Sequence, residues 1–388
     1  MAIEAPAALY LHIPFCAQRC PYCDFAIRVG GDHLQETYIE ALLAEVELLA
    51  ACGPARPRLE SVYLGGGTPS RLRLPLLERL LEKVRSRFDL APELELTLEA
   101  NPADVNPASA AAWHRLGVNR VSLGVQSLDD PTLRWLGRNH TAQQAERALA
   151  DLRSAGFDNL SCDLLYAVPV QATQRFVQGL ERLLEHRPEH LSCYELTVEE
   201  GTPLHRWVAR RKVRAPSERD FLEQHRLART RLLAAGFEHY EVSNYARPGR
   251  RSRHNLAYWG GRGYLGAGAG AHGFVPAEQA RPLGLEPGPE AVGVRYWNRR
   301  GTSQYLRQVA QLGHGRAGWE ELGEGELRLE RLSCGLRLEA GVRLEEAQLA
   351  PRARELAAQG LLEISADRVR ATPRGVEVLD RVTLELLA

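Results

Sequence analysis

The sequence predicts an α/β fold with a parallel sheet, and three observations support this. Short apolar runs recur through the first half of the chain, and each is about the length of one strand. Helical patterns with one apolar face lie between these runs. Strand–helix repeats of this kind join parallel neighbours through right-handed crossovers. After about residue 240 the alternation fades, which predicts a different architecture for the remainder.

The predicted strands are rich in Leu, Val and Tyr, are bounded by Gly, Pro or Asn, and are too short for ordinary helices. They are 7–13, 61–65, 94–100, 120–125, 160–166 and 190–197. Predicted helices follow most of them, with apolar residues spaced along one face. They are 33–51, 74–88, 141–156, 173–187 and 217–236. These strand–helix units fit either a doubly wound sheet or an incomplete (β/α)6 barrel, and periodicity alone does not choose between them.

We divide the chain into three parts. Residues 1–240 hold the strand–helix repeats, and 241–314 form a connecting segment rich in Gly, Arg and aromatic residues. Residues 315–388 have helical patterns again, with a short hairpin or wing at 366–375. We therefore expect a smaller, mostly helical C-terminal domain.

The composition excludes some classes of protein. Lys plus Arg and Asp plus Glu both number 49, so the net charge is zero and gives no reason to expect a nucleic-acid partner. The first residues show neither a signal peptide nor a membrane span, although contact with a membrane surface stays compatible with the sequence. Seven cysteines, an odd number, do not suggest a disulfide framework. We expect a cytoplasmic, reduced protein.

The segment FCAQRCPYCDF holds three cysteines directly after the first predicted strand: Cys16, Cys20 and Cys23. Functional sites of parallel α/β folds collect at this edge of the sheet. One interpretation is a zinc site with His12 as the fourth ligand. The other is a [4Fe–4S] cluster that leaves one iron open, since clusters normally take four cysteines.

This motif resembles the radical S-adenosylmethionine (SAM) superfamily. The longer stretch YLHIPFCAQRCPYCDF is similar to the branch that contains oxygen-independent coproporphyrinogen III oxidase and the haem chaperone HemW. The resemblance implies an incomplete (β/α)6 barrel. It also implies that SAM binds the open iron of a [4Fe–4S] cluster held by Cys16, Cys20 and Cys23. An electron donor would then be needed as a partner.

Further motifs at the strand ends carry the same resemblance: YLGGGTPS, LEANP, GVQS, GRNH and CDLLYAVPVQ. Glycines let backbone groups approach a ligand closely, and an arginine can engage a carboxylate in a bidentate manner. The resemblance implies that the SAM pocket is formed by Tyr10, Gly66, Gly67, Thr68, Glu99, Gln126, Arg138 and Asp163.

Two activities occur in this branch, and three features favour the haem chaperone, which passes haem to haem proteins. Phe25 stands where the oxidase has a further cysteine, and only a short stretch precedes Cys16. The segment RHNLAYWGG resembles the chaperone's HNxxYW motif, which is implicated in haem binding. Met1 is the only methionine, so an axial haem ligand has to be His, Cys or Tyr. We expect His254, in a loop with Tyr258 and Trp259, to bind haem.

Other interpretations stay open at this stage. His272 is a second, weaker candidate for the haem ligand. The chain could instead be a coproporphyrinogen III dehydrogenase, which decarboxylates its substrate by radical chemistry. It could also be a non-catalytic barrel stabilised by zinc.

Overall fold

The computed structural model describes residues 3–52, 56–343, 350–365 and 367–387. The strands in this part of the chain are β1 (Ala8–Ile13), β2 (Phe15–Cys16), β3 (Arg28–Val29), β4 (Arg58–Gly66), β5 (Asp89–Ala100), β6 (Arg120–Gln126), β7 (Leu160–Tyr166), β8 (His190–Glu195), β9 (Glu238–Glu241), β10 (Asn244–Ala246), β11 (Tyr264–Ala267), β12 (His272–Pro276), β13 (Gly293–Asn298), β14 (Arg316–Leu322), β15 (Val342–Arg343), β16 (Leu362–Ser365) and β17 (Arg368–Ala371).

The helices alternate with the first strands and then cluster near the C-terminus. They are α1 (Gln35–Leu49), α2 (Leu74–Arg87), α3 (Pro107–Arg115), α4 (Asp130–Trp135), α5 (Ala142–Ser154), α6 (Thr173–Glu185), α7 (Pro203–Ala209), α8 (Glu218–Ala234), α9 (Arg253–Trp259), α10 (Thr302–Leu312), α11 (Glu324–Leu336), α12 (Ala350–Ala358), α13 (Pro373–Val376) and α14 (Leu379–Leu387).

The centre of the fold is a run of parallel strands in the order β1-β4-β5-β6-β7-β8, which matches the six predicted strands. The two outer strands of this run pair with other partners, β1 with β11 and β8 with β10. The barrel is therefore open between β1 and β8. The prediction of an incomplete (β/α)6 barrel is confirmed.

The strands of the barrel alternate polar and apolar residues, because successive side chains point to opposite faces. On β6, Val121, Leu123 and Val125 are buried in the main hydrophobic core. The intervening Arg120 and Ser122 line the inside of the barrel. The apolar runs of the sequence therefore describe the outer face of the barrel, against which the helices pack, while its inner face is polar.

The segment predicted to connect two domains extends the sheet instead. Strands β11, β12 and β13 continue the sheet beyond β1, and β14 pairs antiparallel with β13 from Gly293↔Leu322 to Asn298↔Arg316. The boundary at 314/315 is thus wrong as drawn, because β14 belongs to the large sheet.

A second hydrophobic core begins in α11 and contains Leu332, Leu336, Leu356 and Val382. The three-stranded sheet β15-β17-β16 packs in the same region, so the C-terminal part is less helical than expected. A hairpin is formed by β16 and β17, and only β17 falls within the predicted range 366–375. Ala366 lies outside the described residues. A backbone bridge between Glu241 and Leu338 joins this part to the barrel.

Candidate functional site

A cavity of about 950 Å³ opens at the carboxyl ends of the barrel strands. The cysteine loop forms one wall, the ends of β4 to β8 form the floor, and residues 376–381 of the C-terminal part form another wall. A cavity of this size is typical of sites for small molecules and cofactors. The cavity lies at the edge of the sheet where the sequence predicts the site.

All three cysteines of the motif line this cavity and have free thiols. The Thr68 hydroxyl donates to Cys16 Sγ at 3.5 Å, and Arg138 Nη1 donates to Cys20 Sγ at 3.6 Å. Burial raises the pKa of the Cys16 thiol, and burial raises that of Cys23 to about 11. In the absence of a metal ion, therefore, burial favours the protonated form of these two thiols.

His12 is not placed as a metal ligand. Its Nε2 contacts the Ala26 carbonyl at 2.8 Å and its Nδ1 contacts the Tyr10 hydroxyl at 3.1 Å, so both ring nitrogens have partners. Burial lowers its pKa to about 4. Within the described ranges, no three His, Cys, Asp or Glu side chains are grouped closely enough to bind one metal ion. The structure therefore gives no support to a zinc site completed by His12.

The glycines at the end of β4 occupy positions where a side chain would clash with neighbouring residues. Gly66 has φ +115°, and a Cβ there would lie 2.4 Å from the His12 ring. A Cβ on Gly67 would lie 2.6 Å from the Pro14 carbonyl oxygen and 3.0 Å from Cys16 Sγ. The glycine segment thus packs directly against the cysteine loop, and only glycine fits at these two positions.

Glu99 and Asp163 bring two carboxyl groups to the floor of the cavity. Glu99 accepts hydrogen bonds from the Tyr63 hydroxyl at 2.9 Å and from the Gly66 N–H at 3.0 Å. Burial, reinforced by Asp163, raises the pKa of Glu99 to about 7. Asp163 accepts from the Ser122 hydroxyl at 3.1 Å, and burial raises its pKa too. These carboxyl groups are poised to lose a proton when a cation binds beside them.

Two arginines on the cavity wall keep unused hydrogen-bonding capacity. Arg138 donates to the Gly124 carbonyl at 3.1 Å as well as to Cys20, but its buried Nε has no partner among the described residues. The Nε of the buried Arg120 is likewise without a described partner. Gln126 adopts φ +63° where β6 ends, which is uncommon for a residue other than glycine. Such strain is typical of functional sites.

The structure brings together the predicted site residues, with two exceptions. The cavity is lined by Cys16, Cys20, Cys23, Gly66, Gly67, Thr68, Glu99, Gln126, Arg138 and Asp163. Tyr10 is not a lining residue; its ring stacks on Tyr63, with the ring centroids 6.2 Å apart. The second exception is His254.

The prediction that His254 lies in an open loop is wrong. It is the second residue of α9, only 2% of its surface is exposed, and it does not line the cavity. Its Nδ1 lies 3.0 Å from the Ser61 hydroxyl and its Nε2 lies 2.9 Å from the Tyr258 hydroxyl. Burial lowers its pKa to about 3. His254 therefore has no free nitrogen to offer iron in this conformation, and its role as a haem ligand stays a prediction.

Sequence reasoning missed a group of residues in the outer part of the cavity. Tyr166, Phe221, His225 and Arg337 line it, together with residues 376–381. His225 and Phe221 lie in α8, which reads from its sequence as an ordinary amphipathic helix. No local signal marks these positions, because their shared surface forms only when α8 packs near the C-terminal part. His272, the weaker candidate ligand, is exposed and does not line the cavity.

Comparisons with known proteins define the class to which this site belongs. The model of the radical SAM superfamily matches residues 10–183, which include the three cysteines and the glycine segment. In a solved structure, the coproporphyrinogen III oxidase HemN of Escherichia coli is similar over 99% of this chain and 90% of its own, with a TM-score of 0.82 and 21% identity. This likeness shows the fold.

Curated relatives narrow the class. The heme chaperone HemW of Mycobacterium tuberculosis is 38% identical over 98% of this chain and 95% of its own length. The mitochondrial radical S-adenosyl methionine domain-containing protein 1 of Mus musculus is 38% identical over 98% of this chain and 87% of its own. The chain belongs to the radical SAM superfamily and, within it, to the HemW family.

Proposed function

We propose that this protein is a haem chaperone that binds haem, passes it to haem proteins, and carries a [4Fe–4S] cluster and SAM. The similarity to HemW along almost the whole length of both chains supports the proposal most strongly. The cavity adds to this support, because it combines a cysteine-lined polar part with an apolar outer part. The structure has no helix long and apolar enough to span a membrane in the part of the chain that it describes.

Cys16, Cys20 and Cys23 are the proposed cluster ligands. The donor set fits, since three free thiols face one cavity and two of them already accept hydrogen bonds from Thr68 and Arg138. A cluster held by three cysteines supplies one open coordination position and an electron for the reductive cleavage of SAM. Hydrogen bonds to cluster sulfurs tune the reduction potential, and the Thr68 and Arg138 contacts place such donors at the ligand sulfurs.

The proposed SAM site uses the polar floor of the cavity. Glu99 offers a carboxylate for the SAM ammonium group, and Arg138 offers an unpartnered Nε for a carboxylate. Gly66 and Gly67 let the backbone approach the ligand, and Thr68, Gln126 and Asp163 complete the surrounding wall. The proposal keeps Tyr10 as a more remote member, because it stacks on the lining residue Tyr63 and does not itself line the cavity.

Phe25 favours the chaperone over the dehydrogenase. It lines the mouth of the cavity and 60% of its surface is exposed, at the position where the oxidase resembled by the motif has a cysteine. An exposed aromatic ring suits contact with a flat apolar ligand better than it suits metal binding.

One anaerobic experiment tests this proposal. The reconstituted protein is titrated with haem while its absorbance is recorded, and a parallel sample receives coproporphyrinogen III, SAM and a reductant. The proposal expects saturable haem binding and no protoporphyrinogen. Formation of protoporphyrinogen would instead show dehydrogenase activity. If the protein binds no haem, the proposed chaperone function is wrong.

Metal analysis of the same sample addresses the zinc-stabilised barrel. About four irons with sulfide per chain support the cluster, whereas one zinc per chain supports the alternative. The haem-accepting proteins and the electron donor are further proposed partners. They can be sought by adding haem-free acceptor proteins to the haem-loaded chaperone and following the change in absorbance.

A further inference from the structure

His225 is the one histidine among the described residues that line the cavity. Only 5% of its surface is exposed, and its buried Nε2 has no hydrogen-bond partner in the described part of the chain. A buried polar atom without a partner is costly unless a ligand satisfies it. We infer that His225 is the axial ligand of haem, and that haem lies in the outer part of the cavity between α8 and residues 376–381. The inference rests on the proposed haem-binding function.

The other nitrogen of the His225 ring is already held. Nδ1 lies 3.4 Å from the Tyr166 hydroxyl. When Nδ1–H donates to that hydroxyl oxygen, Nε2 keeps its lone pair and is the atom free to bind iron. Metal-ligating histidines usually donate their second nitrogen in this way, which fixes the orientation of the ring.

The surroundings of His225 suit a flat apolar ligand. The Phe221 ring stacks on the His225 ring with centroids 5.8 Å apart, and the Tyr166 ring stacks on Phe221 at 5.9 Å. Across the cavity, Val376, Val378 and Leu379 add aliphatic surface. The two walls are joined by a bidentate ion pair in which Arg226 donates twice to Glu377, both contacts at 2.7 Å. The walls are thus held facing each other, as a sandwiched macrocycle requires.

Arg337 offers a counter-charge for the haem propionates. It lines the cavity, and its buried Nε has no hydrogen-bond partner in the described part of the chain. Its guanidinium lies over the Trp259 ring at 4.9 Å from the centroid. This contact assigns a role to Trp259, the tryptophan of the HNxxYW motif, because it positions Arg337 at the cavity wall. The motif then acts on haem through Arg337 instead of through His254.

The test is an anaerobic titration of ferric haem into the cluster-loaded protein and its variants, with absorbance and electron paramagnetic resonance as readouts. His225→Ala should weaken haem binding by at least about tenfold and abolish the absorbance and resonance signature of histidine-ligated ferric haem. Added imidazole should restore that signal. His225→Gln serves as a second variant that keeps a polar side chain in α8. His33→Ala, at an exposed histidine, is the control.

A second arm tests Arg337 with haem dimethyl ester, which lacks free carboxylates. Arg337→Gln should weaken haem binding several-fold and leave ester binding unchanged, with the same spectrum of histidine-ligated haem. If the wild-type protein binds no haem, the proposed function and this inference both fail. If it binds haem and the His225 variants give the wild-type affinity and spectrum, only this inference fails. If His254→Ala alone lost the spectral signature of histidine-ligated haem, His254 would be the ligand instead of His225.

Discussion

The two ends of the barrel use similar polar residues in opposite ways. At the amino end, Glu95 accepts hydrogen bonds from the Arg253 N–H at 3.0 Å and the His254 N–H at 3.1 Å, where the N-terminus of α9 favours a negative charge. His254 in turn contacts Ser61 and Tyr258. These groups satisfy one another's hydrogen-bonding capacity and close the amino end of the barrel.

At the carboxyl end, by contrast, polar groups lack partners. Arg138 Nε and His225 Nε2 are buried without a described partner, and Glu99 holds its proton to an unusually high pH. Hydrogen-bond satisfaction therefore separates His254 from His225, although both are buried histidines. A buried histidine with two partners stabilises the fold, whereas one with a free nitrogen is a candidate for binding.

The largest effect that would sharpen this comparison is loss of the cluster. Cys16→Ser, Cys20→Ser and Cys23→Ser should each remove nearly all iron and sulfide, because each takes away one of three proposed thiolate ligands. The thermal unfolding of the metal-free variants should match that of the metal-free wild type. Cys334→Ser, at a cysteine outside the cavity, is the matched control and should retain full iron. A motif variant that keeps its iron would remove that cysteine from the site.

A smaller effect should follow from Glu99 and depend on pH. Its pKa is about 7 in the folded protein and 4.5 ordinarily, so the folded state holds the proton more tightly. Stability should be greatest below about pH 4.5 and fall as pH rises to about 7, by up to about 3 kcal/mol.

Glu99→Gln should remove that fall. Urea unfolding between pH 4 and 8 measures the free energy of unfolding of both proteins, and their difference reports the titration of Glu99 together with its effect on Asp163. Parallel curves would show that Glu99 does not titrate as the geometry indicates. Binding of SAM to the wild type should also tighten as pH rises through 7, since the ammonium group requires the carboxylate form.

At the amino end we expect stability to change while ligand binding does not. His254→Ala leaves the Ser61 and Tyr258 hydroxyls without a partner and should lower the free energy of unfolding by about 2 kcal/mol. Haem affinity per folded molecule and the cluster absorbance should stay at wild-type values. Normal stability combined with lost haem binding would break the comparison between the two ends.

The smallest expected change in the free energy of unfolding comes from two glycine variants, which distinguish backbone strain from a steric clash. Gly236 has φ +82° with nothing near its Cβ position, so Gly236→Ala should cost about 1 kcal/mol from strain alone. Gly66→Ala should cost about 1 kcal/mol more, because its Cβ would also meet the His12 ring.

Binding separates the same two variants. Gly66→Ala should lower SAM affinity at least about tenfold, and Gly236→Ala should leave it unchanged. Calorimetric titration with SAM measures both. Equal SAM affinities would place the glycine segment outside the binding site.

The sequence predicted the parallel core well because each strand and helix carries its own periodic signal. All six barrel strands, four of the helices between them and α8 after the last strand lie where the apolar spacing indicates. The cysteine loop and the strand-end residues were also found, since the carboxyl ends of parallel strands meet at one edge of the sheet. By contrast, the sequence predicts a loop where the structure has α9, because a helix of seven residues capped by Ser252 is too short to show a clear period.

The sequence by itself determined the α/β class, the positions of the parallel strands along the chain and the motif of three cysteines. These features depend on local periodicity and on residues close together in the chain. Only the tertiary structure decided that His225 keeps a free nitrogen and His254 does not. His254 meets Ser61 across 193 positions of sequence, and His225 meets Tyr166 across 59. Whether a buried nitrogen has a partner depends on residues distant in the chain, and no local pattern records it.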